Sequence, residues 1–195
     1  MSSQPLLRQN LLTHEEYFAL EQREDQRHEY HAGEIFAMAG DTESHALIGS
    51  NILVGLGNAL RGKPCRVYGA DMKLYVSDFD KFCYPDVQVL CEKGIRHGQY
   101  VENPVLIVEV LSDSTESYDR GKKFEQYRSI ESLQYYLLVD QGRKHVELYE
   151  RETSRGWFLT DPQACVDLSG LDIKLEVDEI YRQVEFIPLD NIPSE

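Results

Sequence analysis

The sequence predicts an α/β (α+β) fold, a mixed β-sheet flanked by helices with a hairpin near the N-terminus. Two segments, 45–60 and 116–130, read as helices, the first with apolar residues recurring at helical spacing. Short apolar runs bounded by turn residues read as strands, the most apolar being Val105–Leu111. The elements come in the order helix, hairpin, helix, three strands, strand, helix and two strands, a pattern of mixed-sheet folds. A chain of 195 residues fits one domain with a sizeable core. We expect that domain over residues 13–195, after a flexible arm at 1–12.

Thr13-His14-Glu15-Glu16 resembles a capping box in type but not in spacing, and its acids suit a helix start. The helix runs to about Glu21, with Tyr17, Phe18 and Leu20 as apolar positions. A charged loop, 23–27, leads to a hairpin over 28–39 whose turn is His31-Ala32-Gly33-Glu34, with Gly33 as the positive-φ residue. The loop Gly40–Ser44 ends on an N-cap candidate. Gly62-Lys63-Pro64 stops the second helix. Strands are expected at Cys65–Tyr68, Met72–Val76 and Tyr84–Leu90, and Ser77–Lys81 is the turn before the third. Glu92–Asn103 reads as a polar connection. After the helix at 116–130 come strands at Gln134–Val139 and His145–Glu150, joined by a tight turn at Gln141–Lys144. Two or three short strands and a short helix near Asp178–Tyr181 complete the chain.

Composition is that of a globular protein, 42% apolar and 28% charged. The net charge of −14 speaks against broad, non-specific nucleic-acid binding, which needs a basic surface. It leaves room for a local basic patch or for a metal that screens phosphate. Cys65, Cys83, Cys91 and Cys165 form no C-x-x-C pair and read as reduced thiols. The N-terminus lacks a signal-peptide pattern and no apolar run approaches the length of a membrane span, so the cytoplasm and no membrane partner are expected. Twelve tyrosines suit strands and interfaces, and with an apolar, strand-rich C-terminal half they motivate the expectation of a homodimer.

Glu109 is out of place in its strand. An ionised carboxylate inside Pro104-Val105-Leu106-Ile107-Val108-Glu109-Val110-Leu111 is costly unless it is paired or coordinated. Asp86 lies in a second strand-like run, and Lys123 lies on the helix after Glu109. Residues of one strand alternate between faces, so Glu109 shares a face with Ile107 and Leu111, and Asp86 shares one with Tyr84 and Gln88. If the two strands pair, both carboxylates can meet at one place, with a cation or a proton between them. Ligands that are all oxygen suit Mg²⁺ or Mn²⁺, and such an ion can activate water against a phosphodiester. Asp119, Lys123 and Tyr127 are spaced four apart and lie along one side of the helix, while Lys122 points elsewhere. Each residue also has an ordinary reading alone: an aspartate capping a turn, a buried acid paired with a core base, a solvated helix lysine. The three in this order are more specific.

Pro85-Asp86, Glu109-Val110-Leu111-Ser112 and Asp119-Arg120-Gly121-Lys122-Lys123-Phe124-Glu125-Gln126-Tyr127 together resemble the Uma-type putative restriction-endonuclease family of the PD-(D/E)XK nuclease superfamily. His28–Ile35 resembles its N-terminal hairpin, Ser44-His45 its first core helix and Gln134–Asp140 a later strand, so the resemblance spans roughly residues 13–183. It implies a restriction-endonuclease-like core and an Mg²⁺- or Mn²⁺-dependent endonuclease acting on nucleic acid, with DNA as substrate. Asp86 and Glu109 would be catalytic metal ligands. The superfamily places lysine two residues after the second acid, where this chain has Leu111, so the lysine's role would have moved to Lys123. Glu29, Glu34 and His45 match recurrent family positions, either lining the site or holding hairpin and helix cap. The acidic balance and Leu111 favour an alternative, a nuclease-like scaffold that no longer cuts and serves as a binding or assembly module.

Other motifs are weaker. The six histidines show no H-E-x-x-H and no supporting cysteine pair, which argues against zinc. Gly55-Leu56-Gly57 lies within a helical pattern and is no dinucleotide fingerprint, and no serine elbow is present. Arg61, Lys63 and Arg66 form a small basic cluster that reads as solvated surface, with phosphate contact as the second reading.

Overall fold

The structure is a computed structural model that describes residues 11–186 apart from 39, 93, 114 and 153–155. Its strands make two six-stranded sheets and a ribbon. The first sheet contains β1 (His28–His31), β2 (Glu34–Ala37), β4 (Lys73–Val76), β5 (Lys81–Cys83), β7 (Ile95–Arg96) and β8 (Tyr100–Glu102), in the order β2-β1-β5-β4-β8-β7. The second contains β3 (Arg66–Gly69), β6 (Val87–Leu90), β9 (Leu106–Leu111), β10 (Tyr135–Asp140), β11 (Val146–Glu152) and β12 (Gly156–Thr160), in the order β12-β11-β10-β9-β6-β3. β13 (Cys165–Leu168) and β14 (Ile173–Glu176) pair as the ribbon. Both large sheets are mixed: β9 and β10 run parallel, as do β4 and β8, among antiparallel neighbours. The fold class is therefore as expected, with two sheets where one was foreseen.

Pro85 explains the second sheet. The strand expected over Tyr84–Leu90 is interrupted at Tyr84-Pro85-Asp86, where proline has no N–H to give to a ladder. Before the break β5 pairs with β1 and β4; after it β6 pairs with β3 and β9. Asp86 thus stands where the chain crosses between sheets.

Every residue of β9 is buried, so hydrocarbon covers both of its faces. On one face, Ile48, Ile52 and Leu56 of α2 (Glu43–Ala59) share a core with Leu106, Val108 and Val110. On the other, Ile107 and Leu111 share a core with Phe124, Tyr127 and Ile130 from the helical segment that follows. That segment is α-helical at Glu116–Tyr118 (α3), π-helical at Asp119–Lys123 and α-helical again at Phe124–Tyr127 (α4). The short helix expected near Asp178 is α5 (Val177–Ile180).

Local chemistry differs from expectation at several points. Thr13 caps α1 (His14–Glu21) with a complete capping box: Glu16 N–H donates to Thr13 Oγ1 and Thr13 N–H donates to Glu16 Oε2 at 2.8 Å. The spacing is that of the motif after all, because Glu16 is the third helical residue. The cap of α2 is Thr42 rather than Ser44, its hydroxyl accepting from His45 N–H. Glu92–Asn103 is not merely a connection; it holds β7 and β8. Residues 1–10 of the expected arm lie outside the described residues. Leu12 is held, its N–H donating to Gly33 O and its carbonyl accepting from Tyr30 Oη.

Cys65 and Cys91 form a disulfide, which corrects the expectation of four reduced thiols. Arg66 faces Leu90 across the β3–β6 pair, so the next residues outward face each other too. The cysteines therefore no longer argue for a reducing compartment. Tyrosines fill the interior, with Tyr17, Tyr127 and Tyr136 wholly buried, which removes their weight as a sign of a dimer interface. Among the described residues no helix is long and apolar enough to cross a membrane.

Ala32 and Gly33 both have positive φ, at 47° and 93°, the signature of a tight I′ hairpin turn. A Cβ on Gly33 would lie 2.5 Å from Leu11 Cβ. Gly33→Ala should therefore cost about 1–3 kcal/mol in urea unfolding. Alkylation of the unreduced, denatured protein followed by mass spectrometry should label only Cys83 and Cys165, and all four cysteines after reduction.

Candidate active site

The centre of the site is Glu109, 3% exposed in the middle of β9. Its strand phase turns it, with Ile107 and Leu111, toward the helical segment. Lys123, 7% exposed, meets it there: Nζ lies 2.8 Å from Glu109 Oε2 and 3.4 Å from Asp119 Oδ1. Tyr127 Oη donates to Glu109 Oε1 at 2.8 Å. The spacing that set Asp119, Lys123 and Tyr127 on one side has brought all three inward, while Lys122 is exposed.

Asp86 reaches the same place from the crossing between sheets. Val87 faces Val108 in the β6–β9 pair, so the next position outward sets Asp86 opposite Glu109. Its Oδ2 accepts from Val110 N–H at 2.6 Å, the amide after Glu109, and lies 3.4 Å from His45 Nε2. His45 occupies the first turn of α2, with Nδ1 3.7 Å from Asp41 Oδ1. Glu29, from β1, is held by Lys81: Nζ lies 3.2 Å from Glu29 Oε2. Of the three further family positions, Glu29 and His45 join the cluster and Glu34 does not; Glu34 is exposed at the start of β2. Leu111 sits in hydrocarbon with Phe124 and Tyr136, so no lysine stands two residues after Glu109.

Charge in this cluster does not balance. Glu29, Glu109 and Asp119 act on the Lys123 ammonium, Glu29 also acts on Lys81, and Asp86 acts directly on Glu109. With Glu109 ionised, as it must be to hold a cation, and His45 neutral, four carboxylates against two ammoniums leave two negative charges. Burial pushes Glu109 up to about 8; Lys123 opposes this, and Asp86 and Asp119 reinforce it. Burial disfavours the charge on Lys123, but Glu109, Asp119 and Glu29 outweigh it and raise Lys123 well above the usual lysine range. Burial likewise opposes protonation of His45, and the bond to Asp86 with the charges of Asp86, Asp41 and Glu109 raises it. Among the described residues no three His, Cys, Asp or Glu side chains are already gathered as a metal cage.

Lys81 is the member that sequence reasoning missed. It closes Ser77-Asp78-Phe79-Asp80-Lys81, which reads as a polar turn, yet it begins β5 and is 2% exposed. Its strand phase is shared with buried Cys83, a signal visible only once β5 is recognised. The basic cluster at Arg61, Lys63 and Arg66 stands apart from the site. Lys63 Nζ bonds the carbonyls of Leu171 and Asp172, and both arginines are exposed.

The raised Glu109 carboxyl makes a pH prediction for protein kept free of divalent ions. The native state holds a proton from about pH 4.5 to about 8 that the unfolded chain has released, so stability falls as pH rises through that window. Unfolding free energies from urea titrations should decline from pH 5 to 8, by at most about 1.4 kcal/mol per pH unit from this group.

Comparison with known proteins places these features in a family. The family model for Uma2, described as a putative restriction endonuclease, matches residues 14–175. Two uncharacterized proteins of Synechocystis sp. are each 36% identical, one over 178 residues (90% of this chain and 94% of its own length), the other over 154 residues (77% and 87%). A solved structure from Anabaena variabilis, titled a putative nuclease belonging to DUF820, superposes with a TM-score of 0.67 at 17% identity, covering 87% of this chain and 97% of that one. That likeness shows a shared fold. The match over residues 14–175, which takes in the hairpin, Asp86, Glu109 and Lys123, shows that this chain belongs to the Uma2 family of putative restriction endonucleases.

Proposed function

We propose that the protein is a divalent-metal-dependent endonuclease that hydrolyses phosphodiester bonds of DNA. The observation that carries the reading is the bond from Val110 N–H to Asp86, which fixes that carboxylate beside Glu109 in an otherwise hydrocarbon region. The donor set fits Mg²⁺ or Mn²⁺. Both carboxylates are oxygen ligands, the cluster with Glu109 ionised and His45 neutral carries two uncompensated negative charges, and Mg²⁺ is commonly held by one or two carboxylates with water completing the shell. Asp86 and Glu109 would hold the ion, which when bound would supply a polarised phosphoryl oxygen and a more acidic water.

The rest of the chemistry belongs to the chain. The Val110 amide fixes the orientation of Asp86 through Oδ2. Tyr127 fixes the orientation of Glu109 through Oε1. Lys123 keeps an ammonium beside Glu109, where it can counter charge that builds on the phosphoryl group. With a net charge of −14, the protein has little long-range attraction for a polyanion, so affinity must come from the site and its cation.

A second reading rests on Leu111. The position after which the superfamily pattern is named holds hydrocarbon, and Lys123 is engaged by two carboxylates. A nuclease-fold module that binds without cutting would have this arrangement. Incubating plasmid DNA with purified protein and Mg²⁺ or Mn²⁺ separates the readings. The endonuclease should nick or linearise it, and Asp86→Ala and Glu109→Ala should each lower the rate at least about a hundredfold. Cleavage that survives either substitution removes the metal-ligand role, and no cleavage with either ion favours the binding module.

A further inference from the structure

Lys81 is a fully buried ammonium with no part in the chemistry above, and it needs a reason to be there. Its three N–H donors find three acceptors: Glu29 Oε2 at 3.2 Å, Tyr118 Oη at 2.8 Å and Gln126 Oε1 at 3.2 Å. Tyr118 and Gln126 bracket the π-helical stretch that ends at Lys123. Lys81 therefore grips the segment carrying Lys123 on both sides of it, from the facing sheet. Glu29 is also within electrostatic reach of Lys123, so it competes with Glu109 for that ammonium.

We propose that Lys81 is a positioning residue of the site: by engaging Glu29 it leaves the Lys123 ammonium on Glu109 and, with Glu109 ionised and His45 neutral as cation binding requires, holds the cluster at two net negative charges, the balance one divalent cation neutralises. The inference rests on the metal-dependent reading above. Without Lys81, Glu29 is an uncompensated carboxylate, the cluster carries three net negative charges, and Lys123 is drawn toward Glu29. Without the Glu29 charge the cluster carries only one. The direction of the effect on cation affinity thus follows from charge. A residue that merely packs the core would weaken cation binding, if it changed it at all, whichever partner was removed.

The test is calorimetric titration of the full chain with Mn²⁺ at neutral pH, for the wild type, Lys81→Met, Glu29→Gln and the double variant, with circular dichroism on each. Lys81→Met should bind Mn²⁺ about tenfold more tightly, Glu29→Gln about tenfold more weakly, and the double variant within about threefold of wild type. Equal affinities across the series, or weaker binding by folded Lys81→Met, would overturn the proposal. Should Lys81→Met fail to fold, the other two variants decide: recovery of affinity in the double variant relative to Glu29→Gln supports the balance, and no recovery overturns it. A wild type that binds no Mn²⁺ at millimolar concentration would defeat the metal-dependent reading itself, an outcome distinct from a wild type that binds while its variants break the pattern.

Discussion

A lysine and a glutamate lie 2.8 Å apart in the interior of this molecule, and much of its architecture is needed to keep them there. When Glu109 is ionised, keeping both charges out of water costs several kcal/mol per ion, and removing one partner of such a pair typically costs about 3–5 kcal/mol. The ion pair therefore stands only if its surroundings hold it. β9 must be central enough for Glu109 to be buried, and the helical segment must cross that face with Lys123 turned inward. Tyr127 must fill the remaining Glu109 oxygen. The aromatic stack of Phe124 on Tyr136, at 5.1 Å between ring centres, packs the segment onto the sheet beside them.

Around that pair the charges form a ladder, from Asp119 through Lys123 and Glu109 toward Asp86, and by way of Glu29 to Lys81. Hydrocarbon on both faces of β9 lowers the local dielectric and strengthens each of these interactions. The same environment makes the excess negative charge uncomfortable, which is why the Glu109 carboxyl is drawn toward its protonated form. A site of this kind has two ways to settle its charge, by taking up a proton or by taking up a cation. The two compete for the same carboxylates.

How much of this the sequence reveals depends on the range over which each feature is encoded. Glu109 was legible because one acid in a run of valine, leucine and isoleucine contradicts the burial its neighbours demand. Asp119, Lys123 and Tyr127 were legible because helical spacing is local. The Thr13 capping box is local too, since Glu16 stands three residues after Thr13. What remained hidden is set by pairing at a distance. Pro85 marks a break in the ladder, but which sheet each side joins is set by pairing with distant strands. Nothing near Cys65 or Cys91 says that they lie opposite each other, since that follows from the β3–β6 register. Lys81 looked like a turn residue because β5 is only three residues long, and its partners Glu29 and Gln126 lie 52 and 45 positions away.

The π-helical stretch carries a consequence for how this site can vary. A π turn holds one more residue than the α turn it replaces, so it is equivalent to a single insertion into an ordinary helix. Losing one residue between Asp119 and Lys123 would restore regular geometry and rotate everything before it by about 100° relative to Tyr127. The helix would survive, but Asp119 and Tyr118 would leave their partners. Length in this stretch is therefore constrained more tightly than residue identity, and relatives that keep the buried ion pair should seldom gain or lose a residue there.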